Sequence, residues 1–186
     1  MRCWPGTSIV LSRRSDTVTS RPLKSRVDQG RRRLRPATAA DIPVLFAVRT
    51  SVNENHLDLE QLAERGVTTE SIAAMLADDD MRTWVVEDRA EIVGFAMADA
   101  RTGTVYALFV KAGADGRGHG RTLLQACEDF LFNAGWETIW LQTGKDPHIR
   151  AHGFYRAAGW HLVGPSDHDD VRYEKHRQEA GDPART

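Results

Sequence analysis

A β-forming run, Thr104 to Val110, gives way to a cluster of small residues and then to a helical stretch from about Gly120 to Ala134. Strand, glycines and helix in that order leave few architectures open. Gly116, Gly118 and Gly120 let backbone N–H groups approach a ligand closely and point one way. The start of the following helix adds about half a positive charge. Together these features suit an anion, although the same residues also suit a glycine-rich turn that holds nothing. Two phosphate-binding patterns are excluded. G-x-G-x-x-G fails in both registers, because Arg121 or Leu123 stands at its sixth position, and no Gly-Lys-Ser/Thr follows for a P-loop.

The rest of the chain reads as one α/β domain around that segment. Arg33 to Ala37 is a first strand with Pro36 near its edge. Thr38 is a helix N-cap, with Asp41 three residues on, and Ile42, Leu45, Phe46 and Arg49 carry the helix to about Ser51. A polar connection, Asn53-Glu54-Asn55-His56, precedes a second helix from about Thr69 to Ala77. Thr83–Glu87 and Ile92–Met97 flank the turn Asp88-Arg89-Ala90-Glu91 as a hairpin. The long helix shows Leu123, Leu124, Cys127, Phe130 and Leu131 on one stripe and stops at Gly135. Thr138–Thr143 is a strand, Ala151–Ala158 a short helix ended by Gly159, and Trp160–Val163 and Val171–Glu174 the last strands. The order β-α-α-β-β-β-α-β-α-β-β predicts a mixed sheet flanked by helices.

Charge divides the chain unevenly. Residues 1–32 carry seven Arg and one Lys against two Asp, a charge of +6, so with −1 overall the remainder holds −7. The segment lacks helical or strand periodicity and reads as a disordered tail, an organelle transit peptide or a start assigned too early. Its removal is expected to leave both folding and ligand binding intact. The domain is expected over 33–175, with a polar tail at 176–186. An acidic domain argues against a nucleic-acid partner, because phosphate binding needs a basic face. No apolar run approaches the roughly 20 residues of a membrane span, so no membrane partner is expected. Cys3 and Cys127 make no disulfide framework, which points to a reducing, cytoplasmic setting.

Two segments together resemble the GNAT superfamily of N-acetyltransferases. The first is Val110-Lys111-Ala112-Gly113-Ala114-Asp115-Gly116-Arg117-Gly118-His119-Gly120, followed by Arg121-Thr122-Leu123-Leu124. The second is His148-Ile149-Arg150-Ala151-His152-Gly153-Phe154-Tyr155-Arg156-Ala157-Ala158-Gly159-Trp160. Leu34-Arg35-Pro36-Ala37 with Asp41-Ile42 is similar to the family's first strand and helix, so the resemblance spans residues 33 to about 175. It departs from the family pattern at Asp115, where Arg or Gln is usual, and at His148, where Asn is frequent. A carboxylate beside a diphosphate is repulsive, which leaves Asp115 pointing away or pairing with Arg117 or Arg121.

The resemblance implies a GNAT-like domain with a mixed, mostly antiparallel central sheet, acetyl-CoA as acyl donor and a primary amine of a small molecule or peptide as acceptor. It also allows a homodimer. The donor's diphosphate would lie on Asp115, Gly116, Arg117, Gly118, His119, Gly120 and Arg121, with a contact from His148. Its pantetheine arm would run along Leu108-Phe109-Val110. Tyr155 takes the position whose phenol protonates the leaving thiolate, although an aromatic core pair with Phe154 explains it equally. Glu54 and His56 are the candidate bases, with a water chain as the alternative and a solvent-exposed loop carboxylate as the other reading of Glu54, and Glu54, His56 and Tyr106 are candidates for contacting the acceptor. His148 and His152 are four apart, a metal spacing on a helix, but neither a Glu after the first His nor a nearby Cys accompanies them, so no metal is expected. A non-catalytic acyl-CoA sensor is the alternative from another class.

Overall fold

A computed structural model describes residues 32–54, 56–166 and 169–178 of the chain. Of the tail expected over residues 1–32, all but Arg32 lies outside the described residues. Seven strands form one sheet: β1 (Arg33–Pro36), β2 (Met81–Asp88), β3 (Glu91–Asp99), β4 (Thr104–Val110), β5 (Thr138–Gly144), β6 (His161–Pro165) and β7 (Asp170–His176). Their order is β1-β2-β3-β4-β5-β7-β6, and every neighbouring pair is antiparallel except β4 and β5. This is the mixed, mostly antiparallel sheet the sequence predicts.

Helices cover both faces. On one side α1 (Ile42–Thr50), α2 (Leu59–Glu64) and α3 (Thr69–Leu76) bury Leu45, Val48, Leu62 and Ile72 against Val85, Phe95, Met97 and Phe109. On the other, α4 (His119–Asn133) and α5 (Arg150–Ala157) pack onto Val86, Ala96, Leu108, Val110, Leu141 and Tyr173. The stripe of α4 expected from the sequence is the buried one: Leu123, Leu124, Cys127 and Leu131 are each at most 1% exposed. Burying one such aliphatic side chain is worth about 1.5–3 kcal/mol, which fixes the helix on the sheet.

The entry to α1 follows the expected capping chemistry with one difference. Asp41 Oδ2 accepts from the Thr38 N–H at 2.7 Å and the Thr38 hydroxyl at 2.9 Å, while Arg35 grips the same carboxylate with both Nη atoms. The first turn, Ala39–Asp41, is 3-10 rather than α. Helix α2 is absent from the sequence reading. Six residues are too few to display a 3.6 period, and a reciprocal cap sustains them: Asp58 accepts from the Gln61 N–H at 2.8 Å, and Gln61 accepts from the Asp58 N–H at 3.0 Å.

One irregularity shapes the centre of the sheet. Met97 pairs with Ala107 but Ala98 pairs with Val105, so Tyr106 is an extra residue on β4. Consistent with a bulge, Tyr106 and Ala107 both face the α1–α3 side. Beside it, β4 pairs with β5 only at Thr104↔Trp140, where the Trp140 N–H reaches the Gly103 carbonyl at 3.0 Å. Beyond that rung β4 continues to Val110 without a ladder to β5. The edge that opens leads directly into the glycine loop.

Candidate active site

The loop begins where β4 ends. Lys111 donates its N–H to the Val93 carbonyl at 2.8 Å, so Lys111 and, by alternation, Phe109 turn their backbone toward β3. The same alternation turns the peptide groups of Leu108 and Val110 toward the opened edge. Of the three residues expected to line an extended ligand, Leu108 and Val110 therefore offer backbone to it. Phe109 instead offers its ring to the opposite face, where the Arg49 guanidinium lies 4.8 Å above it.

Glycine is required at the head of α4. Gly118 is the N-cap residue, with φ 83° and ψ 8°, a left-handed conformation that side chains disfavour. Among the described residues no side chain caps the helix there, so its first N–H groups are open to an anion. Gly116 shares the positive φ, at 69°. Gly120 sits between the Phe154 ring and Val110, which brings the start of α4 against α5 and β4.

The charged residues of the loop find partners from elsewhere in the chain. Arg117 Nη1 lies 3.2 Å from Asp88 Oδ2 at the β2–β3 hairpin, and His119 Nε2 lies 3.4 Å from the same oxygen. Desolvation pushes the Asp88 carboxyl up, but Arg117 and then His119 outweigh it, and the carboxyl is held below its ordinary range. His119 is 3% exposed, and its imidazole is pushed below its ordinary value by burial first and by the charge of Arg32 second. Its uncharged form is therefore favoured at neutral pH, and Nδ1 is buried without a hydrogen-bond partner among the described residues. Arg121 donates to the Ala157 carbonyl at 2.9 Å, tying the loop to the end of α5. Asp115 is half-buried.

Helix α5 gathers the other candidates. Glu54 Oε2 accepts the backbone N–H of Arg150, the first residue of α5, at 3.3 Å. Glu54 is thus anchored rather than loose in solvent, and it stands at the N-terminus of the helix that carries Tyr155. Tyr155 stands five positions after Arg150, a rise of about 7.5 Å. Tyr155 is fully buried among Phe154, Trp160 and Tyr173, with ring centroids 5.5, 6.2 and 5.6 Å away. Its hydroxyl has no hydrogen-bond partner among the described residues. Burial, and secondarily Cys127 and Tyr173, push the phenol well above its ordinary value, so it is held protonated.

The remaining candidates are not brought together. Tyr106 is buried on the α1–α3 side of the sheet, whereas Tyr155 lies on the α4–α5 side. His56 is exposed and contacts its own turn, with Nδ1 3.1 Å from the Val52 carbonyl. His148 is exposed, and its N–H donates to Asp146 Oδ1 at 2.9 Å. The two histidines of the His148–His152 spacing make separate hydrogen bonds. His152 Nε2 lies 3.0 Å from the Asp146 carbonyl, which can only accept, so that nitrogen carries the proton and Nδ1 accepts from the Tyr173 hydroxyl at 2.8 Å. Two residues at the loop escape the sequence reading. Asp88 reads there as a hairpin residue and Arg32 as the end of the tail, and only tertiary structure carries either one to Gly118.

Residues 47–160 match the family model described as the acetyltransferase (GNAT) family. Among curated proteins none matches the chain. Among solved structures the chain is similar to a PaiA N-acetyltransferase from Thermoplasma acidophilum in complex with coenzyme A, with 15% identity, TM-score 0.68 and coverage of 79% of this chain and 99% of that one. It is also similar to a ribosomal-protein-alanine N-acetyltransferase from Brucella melitensis, at 20% identity and TM-score 0.60 over 77% and 99% of the two chains. A ribosomal-protein-S18-alanine N-acetyltransferase from Escherichia coli matches at 15% and TM-score 0.62, over 84% and 100%. At these identities the likeness is one of fold.

Proposed function

Because the chain belongs to the acetyltransferase (GNAT) family, we propose that it transfers an acetyl group from acetyl-CoA to a primary amine by direct attack within a ternary complex. The observation that carries this reading is the continuity of the opened β4 edge with the uncapped N-terminus of α4. Leu108 and Val110 offer peptide groups to an extended pantetheine arm in the manner of an added strand. Gly116, Gly118 and the first N–H groups of α4 then meet the diphosphate. That the similar Thermoplasma structure is a complex with coenzyme A is in keeping with coenzyme A as the carrier of the donor.

In the reaction, the neutral amine nitrogen bonds to the thioester carbonyl carbon, the C–S bond breaks, the nitrogen loses a proton and the thiolate gains one. A backbone N–H on the β4 edge stabilises the carbonyl oxygen as it gains charge. Tyr155, held protonated by its burial, is the donor to sulfur. Glu54, fixed on the α5 N-terminus, receives or orients the amine.

Hydrogen exchange tests the placement. On addition of acetyl-CoA, the amides from Gly116 to Arg121 become protected. Protection confined to other segments, with this loop unchanged, defeats it.

The acceptor side of the reading is electrostatic. The domain outside the tail carries −7, and Glu54, Asp58 and Glu60 lie on one stretch of chain. Asp58 caps α2, which leaves Glu54 as the first residue to test. A negatively lined cleft concentrates cations, so a cationic amine or a basic peptide end is the preferred acceptor. The two ribosomal-protein acetyltransferases among the similar folds are in keeping with a protein amine. Glu54→Gln raises the acceptor KM or lowers kcat and leaves acetyl-CoA affinity alone. A screen in which anionic acceptors outpace cationic ones, independent of salt, refutes the acceptor assignment and leaves acyl transfer standing.

A further inference from the structure

Arg32, immediately before β1, is carried to the glycine loop by the antiparallel pairing of β1 with β2, which sets Arg33 opposite Glu87. Its Nη2 contacts the Arg117 carbonyl, and its Nη1 lies 3.3 Å from Thr122 Oγ1 on the first turn of α4. A side chain added at Gly118 would meet Nη1 at 3.3 Å and Nη2 at 3.4 Å, so the guanidinium lies directly over the N-cap residue. Of the other charges at this point, Arg121 is turned to the Ala157 carbonyl at the end of α5. Arg117 is matched by Asp88, and Asp115 adds a carboxylate to the loop itself. Arg32 is exposed and makes no ion pair with a carboxylate among the described residues, and of its five N–H donors only part is engaged by the carbonyl and the hydroxyl.

We propose that Arg32 is a phosphate-binding residue of the donor site, contributing to the diphosphate a cation that lies over the N-cap of α4 and that no carboxylate compensates among the described residues; this rests on the acyl-CoA reading above. Backbone N–H groups give the site its shape, and the guanidinium gives it charge and a fork matched to phosphate oxygens. The functional domain therefore begins at Arg32 rather than after it. Removal of residues 1–32 takes away a ligand-binding side chain along with the tail.

Isothermal titration of the full-length chain tests this with coenzyme A, with dephospho-CoA, which lacks the ribose phosphate, and with pantetheine, which lacks all phosphate. Arg32→Gln is expected to weaken coenzyme A and dephospho-CoA by the same factor, on the order of tenfold, and to leave pantetheine unchanged. The affinity of the variant also falls less steeply with salt than that of the wild type. Arg32→Lys retains part of the affinity, because it keeps the charge and loses the fork. Equal or tighter binding of coenzyme A by Arg32→Gln overturns the proposal and makes the side chain a passive cover or a plug. A loss seen with coenzyme A alone moves the contact to the ribose phosphate and overturns the diphosphate assignment. Failure of the wild type itself to bind coenzyme A defeats the acyl-CoA reading and this proposal with it.

Discussion

Tyr155→Phe is expected to lower kcat at saturating acetyl-CoA by roughly 10²–10⁴-fold, the usual worth of a positioned general acid, while leaving the melting temperature unchanged or slightly raised. The two halves of this expectation have different origins. The ring is fully buried and keeps every aromatic neighbour in the variant. The hydroxyl has no hydrogen-bond partner among the described residues, so its deletion removes an unsatisfied polar atom, a group that costs about 1–3 kcal/mol when buried. The proposed general-acid role gives that hydroxyl a use, whereas packing alone is served as well by Phe. Steady-state kinetics and calorimetry on the same preparation decide the matter. An unchanged kcat returns Tyr155 to the core, and a large fall in melting temperature shows that the hydroxyl has a structural partner.

Glu128→Ala is expected to lower the melting temperature by on the order of 10 °C. Glu128 is 3% exposed and holds two groups at once: Trp160 Nε1 donates to Oε1 at 2.7 Å, and Lys175 Nζ lies 2.6 Å from Oε2. Lys175 also donates to the Ala158 carbonyl at 3.0 Å, so α4, the turn after α5 and β7 meet at one carboxylate. Removing one partner of a buried pair costs about 3–5 kcal/mol because the other is stranded, and about 2–4 °C accompanies each kcal/mol in a chain of this size. Glu128→Gln keeps a carbonyl for Trp160 and falls between alanine and wild type. A calorimetric trace of the alanine variant that overlays the wild type shows that water replaces the carboxylate at no net cost.

What the sequence discloses is local. Strand β4 is read to its exact ends because glycines bound it and its residues alternate between two buried faces. The apolar stripe of α4 identifies that helix for the same reason, since its period is visible within one element. The glycine loop from Gly116 to Arg121 is legible as a candidate site because its glycines and the helix that follows are contiguous in the chain. The short α2 is missed because a single turn and a half shows no period. The displaced Tyr106 is invisible because a bulge exists only relative to a partner strand. Arg32, Asp88 and Glu54 reach their sites across 85, 29 and 96 positions. Nothing in the local pattern marks such distant pairings, and the first of them crosses the boundary drawn between tail and domain.

The single rung between β4 and β5 has a thermodynamic consequence. Backbone bonds divide the sheet into two antiparallel blocks, β1 to β4 and β5 to β7, and main-chain pairing contributes little to holding one block against the other. That cohesion falls to the side-chain layer, and α4 supplies it, packing on β2, β3, β4 and β5 together. The helix that fastens the blocks is also the one whose first turn is the proposed donor site. Whatever binds there stabilises the fastened arrangement by mass action, so affinity for the ligand and cohesion of the two blocks draw on the same helix and are linked through it.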